Sequence, residues 1–283
     1  LAGTYRNQHR GGKGVYSMRT KEDDPVRHIL VGDTHDTLLF FTNTGRVLSS
    51  KSYELRADIS RNTRGVPIAN VIPLSDKEHI NSIVGVSSLQ EEGLFLVLVT
   101  RRGSIKRVAL EQISKIRRSG LIIMNLNPGD ELVTARLARE EDDLIMVTEQ
   151  GMSIRFPVSD ITARQRAAGG VRAMTLAKKD RIMAMDIVVL NSKLLVIGKR
   201  GYGKLTDLNR YRRQGRGGSG IKTLNITKKT GTLAAAEVIA DSDEVYVVSR
   251  KALVLRTNLS EIRSTGRATQ GVTIFKLDRD DAV

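Results

Sequence analysis

A unit of about 50 residues recurs six times along the chain, and this regularity limits the folds that the sequence can adopt. A glycine followed by an aliphatic residue marks each unit. The marker pairs are Gly14-Val15, Gly65-Val66, Gly120-Leu121, Gly170-Val171, Gly220-Ile221 and Gly271-Val272, separated by 51, 55, 50, 50 and 51 residues. Periods of about 20–50 residues are typical of solenoids, propellers and other repeat architectures.

Five of the units also contain a predicted β-hairpin. Each has an apolar, strand-like run that meets a tight turn and continues into a second strand; the runs are 38–42, 94–100, 144–148, 194–198 and 245–249. Four of the turns carry glycine, at Gly45, Gly103, Gly151 and Gly201, where a short hairpin loop needs a positive φ. In the fifth turn we expect Lys251 to adopt that conformation at some local cost.

Charged loops supply a third marker, about ten residues after each Gly-aliphatic pair, at 21–24, 76–78, 128–131, 178–180, 228–229 and 278–281. The three markers keep their order, so each unit is predicted to form about four strands. We expect an all-β, six-bladed, propeller-like ring, because radial four-stranded sheets bury their faces against their neighbours and leave only short edges. An open β-solenoid is the alternative, although its repeats are usually shorter.

We predict one domain over residues 1–283, with repeats at approximately 1–34, 35–90, 91–141, 142–190, 191–241 and 242–283. The first blade is expected to be incomplete at its N-terminus, because no hairpin precedes Gly14-Val15 and about 35 residues of that unit are missing. Closure of the ring should then depend on strands outside the chain, or the ring should be left open there. The first residues include neither an initiating Met nor a signal-peptide core, so we expect the chain to begin inside a longer protein.

The charge of the chain indicates a polyanionic partner. There are 46 Lys and Arg residues against 31 Asp and Glu, a net charge of +15. Nucleic acid is favoured over an anionic membrane surface, because no long stretch has helical periodicity with a basic face. The apolar run 94–99 is too short to span a bilayer. The chain has no Cys, which excludes disulfides and thiolate metal sites, and its four His residues are too scattered for a zinc site.

A glycine- and arginine-rich segment stands directly before the first marker pair, reading Tyr5-Arg6-Asn7-Gln8-His9-Arg10-Gly11-Gly12-Lys13-Gly14. It recurs at an offset of 206 residues as Tyr211-Arg212-Arg213-Gln214-Gly215-Arg216-Gly217-Gly218-Ser219-Gly220, and in weaker form at 164–170 and 263–267. Glycines let a backbone approach a phosphate, and Arg and Lys neutralise its charge. The segment therefore predicts phosphate contact, with a solvated Gly-rich loop as the alternative.

Other candidate motifs do not point to catalysis. The G-x-G-x-x-G match at 215–220 has no apolar strand before it and no helix pattern after it, and Gly12-Lys13-Gly14 lacks the remainder of a P-loop. No Ser/His/Asp or HExxH arrangement stands out. The acidic cluster 140–143 has the oxygen ligands that Mg²⁺ prefers, but it falls in the recurring charged turn, and a solvated turn is favoured.

Basic residues recur beside the turns and connections of successive units, which predicts a basic rim. The rim residues are Arg46, Arg64, Arg101, Arg102, Lys106, Arg107, Arg117, Arg118, Arg155, Arg164, Arg166, Lys199, Arg200, Lys204, Arg212, Arg213, Arg216, Lys251, Arg256 and Arg267. Bending a duplex is costly, so a wrap must be held by phosphate contacts distributed along an arc. An aromatic content of 4% is low for base stacking, which favours duplex DNA over single strands or RNA.

The segment Gln8-His9-Arg10-Gly11-Gly12-Lys13-Gly14 resembles the hallmark box of the C-terminal domain of bacterial DNA gyrase A, which reads Gln-Arg-Arg-Gly-Gly-Lys-Gly. Six of the seven positions match, and His9 replaces an Arg, which removes one permanent charge. The resemblance covers essentially the whole chain and implies a six-bladed β-pinwheel that wraps duplex DNA. It places the DNA contacts at Arg6, in the box from Gln8 to Gly14, where we expect the wrap to be anchored, and along the basic rim.

The resemblance also implies the wider context. The domain should have no catalytic residue, metal or cofactor of its own, and none of its six tyrosines should be the catalytic Tyr. It should join the remainder of the gyrase A polypeptide and, through it, the gyrase B polypeptide in a heterotetramer that uses ATP and Mg²⁺ to introduce negative supercoils. The location should be cytoplasmic, at the nucleoid. The alternatives are the corresponding domain of topoisomerase IV, which lacks or degrades the box, and a propeller scaffold that binds an acidic protein.

Overall fold

The computed structural model of the chain describes residues 7–16, 28, 30, 32–55, 66–240 and 242–283. Within these residues it is an all-β protein with short 3₁₀ turns. The strands are β1 Val15–Tyr16, β2 Thr37–Thr42, β3 Arg46–Lys51, β4 Ile80–Val86, β5 Phe95–Thr100, β6 Ser104–Ala109, β7 Leu121–Ile122, β8 Leu132–Ala138, β9 Asp143–Thr148, β10 Met152–Pro157, β11 Val171–Arg172, β12 Ile182–Val188, β13 Lys193–Gly198, β14 Tyr202–Asp207, β15 Ile221–Lys222, β16 Leu233–Ile239, β17 Glu244–Val248, β18 Leu253–Asn258 and β19 Val272–Thr273.

The 3₁₀ turns are Ser52–Glu54, Ile68–Asn70, Leu110–Ile113, Val158–Asp160, Leu208–Arg210 and Leu259–Glu261. Five of them directly follow the second strand of a hairpin and end it. No helix in the described part of the chain has the length and apolar character needed to cross a membrane.

The strands form five antiparallel sheets within the described residues, in the orders β4-β2-β3-β7, β8-β5-β6-β11, β12-β9-β10-β15, β16-β13-β14-β19 and β17-β18-β1. Each four-stranded sheet joins a hairpin, the long strand that follows it, and a two-residue strand that begins after the marker glycine of the next repeat. Leu121 of β7, for example, pairs with Val47 of β3. The hairpins and the number of strands per sheet agree with the prediction. Each four-stranded sheet, however, takes its two-residue strand from the following repeat, so the sheets do not coincide with the repeats of the sequence.

The first repeat differs from the prediction because its short strand is already paired. β1 pairs with β18, with Val15 opposite Val254, so the N-terminal segment adds a third strand to the sheet of the last hairpin. The sequence reasoning did not predict this pairing. Most of the remaining first repeat, residues 17–27, 29 and 31, lies outside the described residues, as does the marker glycine at 65.

Successive sheets pack side by side in chain order. The long third strands are neighbours, β4 beside β8, β8 beside β12 and β12 beside β16. Polar contacts link them, such as the ion pair from Arg136 Nε to Asp186 Oδ1 at 3.1 Å. These strands therefore line the inner side of the arrangement, and the two-residue strands and the loops before them lie on the outer side.

The core lies between the sheets, so central strands are buried on both faces. All six residues of β2 and of β9 are buried. One cluster joins Val97 of one sheet to Leu144 and Phe156 of the next. Such strands read as continuous apolar runs in the sequence, which is why the hairpins could be located.

The hairpin turns have the predicted glycines in the left-handed region, with φ between 77° and 82° at Gly45, Gly103, Gly151 and Gly201. In the fifth turn the residue with positive φ is Ala252, at 60°, so the prediction for Lys251 was wrong by one position. Ala252 donates its N–H to Ser249 O at 2.9 Å, which is the hydrogen bond that closes this turn. A methyl side chain is accommodated there at the strain cost that glycine avoids.

Candidate nucleic-acid interface

A loop joins the 3₁₀ turn of each of the last four hairpins to the short strand of the next marker pair, and these connecting loops run along the outer side of the sheets. The box loop, residues 8–14, lies on β18. Gln8 donates its backbone N–H to Arg256 O at 2.8 Å, and the adjacent residue Asn7 forms a parallel bridge to Arg256. The last hairpin thus positions the segment that the sequence pattern singles out.

Glycine is required along the box loop for steric reasons. Gly11 has a φ of +82°, and Gly14 has a φ of +70°. A Cβ at Gly14 would lie 2.9 Å from the ring of Phe275, and one at Gly12 would lie 2.5 Å from Gln8 Oε1. Because side chains are excluded at these positions, the loop keeps its backbone close to the sheet.

The box loop presents its charged side chains to solvent. His9, Arg10 and Lys13 are exposed, and the His9 side chain is 96% exposed. Glu261 holds the loop from below, since one carboxylate oxygen is 2.8 Å from His9 Nδ1 and the other accepts the backbone N–H of Arg10 at 2.9 Å. The Arg10 N–H, together with His9, lowers the pKa of Glu261. One acidic group therefore lies directly beside the box cations.

The second copy of the segment, which we call the second-copy loop (residues 212–220), follows the same path on the hairpin of β9 and β10. Gln214 donates its N–H to Arg155 O at 2.8 Å, as Gln8 does to Arg256. Gly217 has a φ of +90° and donates its N–H to Ala173 O at 2.7 Å. The recurrence at an offset of 206 residues is thus a recurrence of loop geometry.

Two arginines of the second-copy loop also contact the protein. Arg216 donates to Arg172 O at 2.6 Å, and Arg213 lies 2.8 Å from Asp143. Both arginines nevertheless remain exposed. Their guanidinium groups are therefore held in place at the surface rather than withdrawn from it.

Three of the predicted rim residues are buried. Lys106 and Lys204 have no exposed surface, and Arg107 is 6% exposed. The Nζ atom of Lys106 donates to Ile123 O at 2.8 Å and to Ala168 O at 2.9 Å, and Lys204 donates to Gly266 O and Arg267 O. The prediction of direct DNA contact was wrong for these three, because their side chains point into the protein.

Both buried lysines are electrostatically perturbed. Burial, with a smaller effect from the nearby Arg164, lowers the pKa of Lys106 to about 8. Burial and the nearby Arg267 likewise lower the pKa of Lys204 to about 8. A cation remains in such a place only where hydrogen-bond acceptors surround it, and here backbone carbonyls serve that purpose.

A second group of predicted rim residues is half-buried and paired with carboxylates. The pairs are Arg46–Glu78, Arg101–Glu131 at 3.0 Å, Arg155–Asp143 at 2.7 Å, Lys199–Glu149 at 2.8 Å and Arg256–Glu244 at 2.7 Å. Although burial opposes ionisation of Glu78, hydrogen bonds from Arg46 and Thr44 lower its pKa to about 2. Much of the charge of these cations is therefore neutralised within the protein.

The remaining predicted residues form the accessible part of the rim. Exposed are Arg102, Arg117, Arg118, Arg164, Arg166, Arg200, Arg212, Arg213, Arg216 and Lys251, with Arg267 half-buried. Among them, Lys251 also pairs with Asp280. Arg6 and Arg64 lie outside the described residues. The accessible basic residues belong to four connecting loops and to hairpin turns of several sheets, so they are distributed along the outer side.

Two further basic residues were not among the predicted rim residues. Arg210 and Lys222 line an open cleft of about 750 Å³ together with Arg267, between successive sheets. Lys222 directly follows a marker pair, and Arg172 occupies the same place one repeat earlier. An alignment of the repeats on their marker glycines would have found Lys222.

The acidic cluster 140–143 is engaged by basic side chains. Asp143 is buried and contacts Arg155 and Arg213, and Glu140 lies 2.7 Å from Arg107. In the described residues, no group of three or more His, Asp or Glu side chains is arranged to hold a metal ion. The cluster therefore organises the base of the second-copy loop.

Comparison with known proteins gives one consistent family. The profile described as "DNA gyrase C-terminal domain, beta-propeller" matches residues 1–33, 36–87, 95–139, 142–188, 192–240 and 243–283. The chain is 40% identical over 285 residues to the A subunit of DNA gyrase from Dehalogenimonas lykanthroporepellens, covering 99% of this chain and 35% of that protein. It is 39% identical over 282 residues to the A subunit of DNA gyrase from Staphylococcus aureus, covering 99% and 32%. The chain thus spans about a third of the length of these relatives.

Solved structures agree with the sequence comparison. The structure of a DNA gyrase A C-terminal domain superposes with a TM-score of 0.89 at 26% identity, covering 99% of this chain and 91% of that one. The C-terminal domain of a DNA topoisomerase IV superposes with a TM-score of 0.77 at 27% identity, covering 93% and 81%. These matches confirm the predicted class of an all-β, propeller-like domain built from repeated four-stranded sheets.

Proposed function

The chain belongs to the DNA gyrase C-terminal domain family, and on that premise we propose that it binds duplex DNA and wraps it around its outer side. The observation that carries the proposal is the repetition of one loop geometry on two of the sheets, with exposed basic side chains on the connecting loops of the others as well. The box loop and the second-copy loop both hold their backbones close to the sheet and direct Arg side chains outward. Repeated sites of this kind suit a ligand with regularly spaced phosphates.

The distribution of charge supports wrapping rather than binding at one point. Smoothly bending a site of 20–30 bp by 40–90° costs on the order of 1–6 kcal/mol, and this must be offset by contacts along the whole arc. The exposed cations extend from Arg117 and Arg118, through Arg164 and Arg216, to the box. The net charge of +15 adds long-range attraction for a polyanion.

Within a gyrase, the wrap would present a crossing of one hand to the cleavage core, so that strand passage introduces negative supercoils. We assign the cleavage chemistry, and the use of ATP and Mg²⁺, to the remainder of the gyrase A polypeptide and to gyrase B. The domain itself then acts without a catalytic residue or a cofactor, and the complex works in the cytoplasm at the nucleoid. The same role in a topoisomerase IV is the second candidate, because a domain of that enzyme superposes well. The box favours gyrase.

A topological assay tests the proposal. Nicked plasmid is sealed by ligase in the presence of increasing amounts of the chain, and the linking-number distribution is read after protein removal. We expect a progressive shift of one sign. An unchanged distribution, with protein that is folded by circular dichroism, would exclude wrapping and favour a scaffold that binds an acidic protein.

Variants of the box locate the anchor of the wrap. Arg10→Ala with Lys13→Ala should abolish supercoiling by the assembled enzyme while relaxation persists. Lys228→Ala with Lys229→Ala removes the same charge from an exposed turn and serves as the matched control. If enzyme with the box variant supercoils DNA to the same extent as enzyme with the control variant, the box does not anchor the wrap.

A further inference from the structure

The residue beneath each connecting loop alternates between aliphatic and cationic from sheet to sheet. It is the residue next to the one paired with the short strand, and we call it the floor residue. The five floor residues are Leu48, Lys106, Ile154, Lys204 and Leu255. Lys106 and Lys204, which were predicted to lie on the DNA-contacting rim, are thus two members of an alternating internal series.

Two of the three loops above an aliphatic floor residue contain Gly-Gly. Gly11-Gly12 lies over Leu255, and Gly217-Gly218 lies over Ile154. In both, the first glycine has a positive φ, and backbone hydrogen bonds to a crossing segment fix the loop. In the box loop, for example, Gly12 O accepts from the N–H of Lys276 at 3.1 Å. In these two loops the first glycine also donates its N–H to a carbonyl of the crossing segment, Ile274 O for Gly11 and Ala173 O for Gly217.

Loops above a lysine floor residue have no Gly-Gly pair at the positions equivalent to Gly11-Gly12. The equivalent positions are Ala167-Ala168 over Lys106 and Ala268-Thr269 over Lys204, and none of these four residues has a positive φ. Loop carbonyls here point inward. Lys106 donates to Arg166 O and Ala168 O, and Lys204 donates to Gly266 O and Arg267 O. An ammonium group has three N–H donors, which suits a cluster of buried carbonyls.

We propose that Lys106 and Lys204 are positioning residues of the DNA interface: each fixes a connecting loop from inside the protein, so that the loop arginines above it face outward along the wrap. For Lys106 these are Arg164 and Arg166, which are both exposed, and for Lys204 it is Arg267. The inference rests on the proposed function for its DNA-dependent part. The lowered pKa of each lysine agrees with a buried ammonium that contacts protein rather than phosphate.

Salt-dependent DNA affinity tests the proposal in the 283-residue chain. The slope of log Kd against log salt reports the number of phosphate contacts, at about 0.9 per contact. Lys106 is fully buried and makes none directly. If it positions Arg164 and Arg166, Lys106→Met should nevertheless reduce the slope by about 1–2. Lys178→Met removes the same charge from an exposed turn, and its slope should fall by no more than about 1.

A double-mutant cycle separates positioning from general damage. In a background of Arg164→Ala with Arg166→Ala, Lys106→Met should change Kd by less than about twofold, because the side chains that it positions are already absent. An equal loss of affinity in both backgrounds, or an unchanged slope in the single variant, would overturn the proposal.

A third variant shows whether the loss of slope in Lys106→Met comes from the missing loop contacts or from misfolding. Lys106→Ile with Ala167→Gly and Ala168→Gly copies the arrangement of Ile154 beneath Gly217-Gly218. We expect it to fold and to recover most of the salt slope that Lys106→Met loses. A failure to recover the slope in a folded protein contradicts the equivalence of the two arrangements.

Hydrogen exchange without DNA distinguishes failure of this inference from failure of the proposed function. In Lys106→Met, amides of residues 163–170 should exchange faster than in the wild-type chain, whereas amides of the box loop should not change. Unchanged exchange in loop 163–170 overturns the positioning role. Absence of DNA binding by the wild-type chain, with this exchange effect present, overturns the wrapping function alone.

Discussion

The box loop and the loop at 163–170 occupy equivalent places on two sheets, yet they are held differently. The box loop rests on Leu255, uses glycines at φ +82° and +70°, and donates the N–H of Gly11 to Ile274 O of the crossing segment. Loop 163–170 rests on Lys106, whose buried ammonium contacts three carbonyls. The difference shows that a polar loop close to a sheet needs its backbone groups satisfied, and that either glycine geometry or a buried cation can achieve this.

Exchanging an aliphatic floor residue for a lysine should destabilise the folded chain strongly. Leu255→Lys places an ammonium beneath a loop in which Ile274 O, the counterpart of the Ile123 O that Lys106 contacts, already accepts the N–H of Gly11. An unpaired buried charge costs about 3–5 kcal/mol. Urea unfolding of Leu255→Lys against the conservative Leu255→Met should show this difference. Near-wild-type stability of the Lys variant would mean that the two loop types are interchangeable.

The glycine geometry of the box should be the next most sensitive feature. Gly14→Ala puts a methyl group at a positive φ, against the Phe275 ring and Val254 O, so it should detach β1 from β18. We expect a loss of about 1–3 kcal/mol and weaker wrapping. Gly215→Ala, where nothing lies within 4 Å, is the matched control and should change unfolding very little. Equal effects of the two substitutions in denaturant titrations would contradict the steric argument.

The Glu261 carboxylate contacts the box loop, whereas the equivalent residue of the 3₁₀ turn beside loop 163–170 is Gln112. Because the Glu261 oxygens contact His9 and the Arg10 N–H, they compete with phosphate for these groups. Glu261→Gln should strengthen DNA binding, lowering Kd roughly two- to fivefold in a fluorescence titration. Asp160→Asn, at the equivalent place in the 3₁₀ turn beside the second-copy loop, is the comparison. Weaker binding by Glu261→Gln would show instead that the carboxylate shapes the loop.

The pH dependence of stability reports the buried lysines alone. The folded-state pKa of Lys106 and of Lys204 is about 8, below the ordinary lysine value of 10.5. Above pH 8 the unfolded chain therefore holds more protons than the folded chain, so this linkage raises stability as the pH increases toward 10.5. Arg164 lies near Lys106 and Arg267 lies near Lys204, and each arginine adds to the lowering of the lysine pKa that burial causes.

Unfolding measured in steps of pH checks this sign. Wild-type chain should gain stability relative to Lys106→Met with Lys204→Met between pH 8 and 10.5, by at most about 1.4 kcal/mol per pH unit for each lysine. A parallel pH dependence in the two proteins would mean that the ammonium groups titrate as exposed lysines do.

Much of the fold could be predicted because the repeat carries local signals. Continuous apolar runs located the hairpins, and glycines at positive φ located four of the five turns. The fifth turn was misassigned by one residue, since Lys251 and Ala252 offer no such signal. The crossing of repeat boundaries could not be predicted, because a strand of two residues, such as Leu121–Ile122, has too little pattern to reveal its partner.

The residues of the candidate site could also be predicted only in part from the sequence. Composition alone could not separate the exposed Arg164 from the buried Lys106, because both are basic residues near a connection. Nor could it reveal that Arg46 is paired with Glu78, which lies 32 residues away. A comparison of repeats would have helped, since Lys106 and Lys204 stand where the other repeats have Leu48, Ile154 and Leu255.

The sequence by itself determined the repeat, the hairpins, the excess of positive charge and the box, because each of these is written in neighbouring residues or in regular spacing. Tertiary structure alone decided that the N-terminal strand joins the last sheet, which basic residues remain exposed, and that two lysines contact loop carbonyls from within. Those outcomes depend on contacts between residues far apart in the chain, where burial and pairing determine whether a charge faces solvent or a carbonyl.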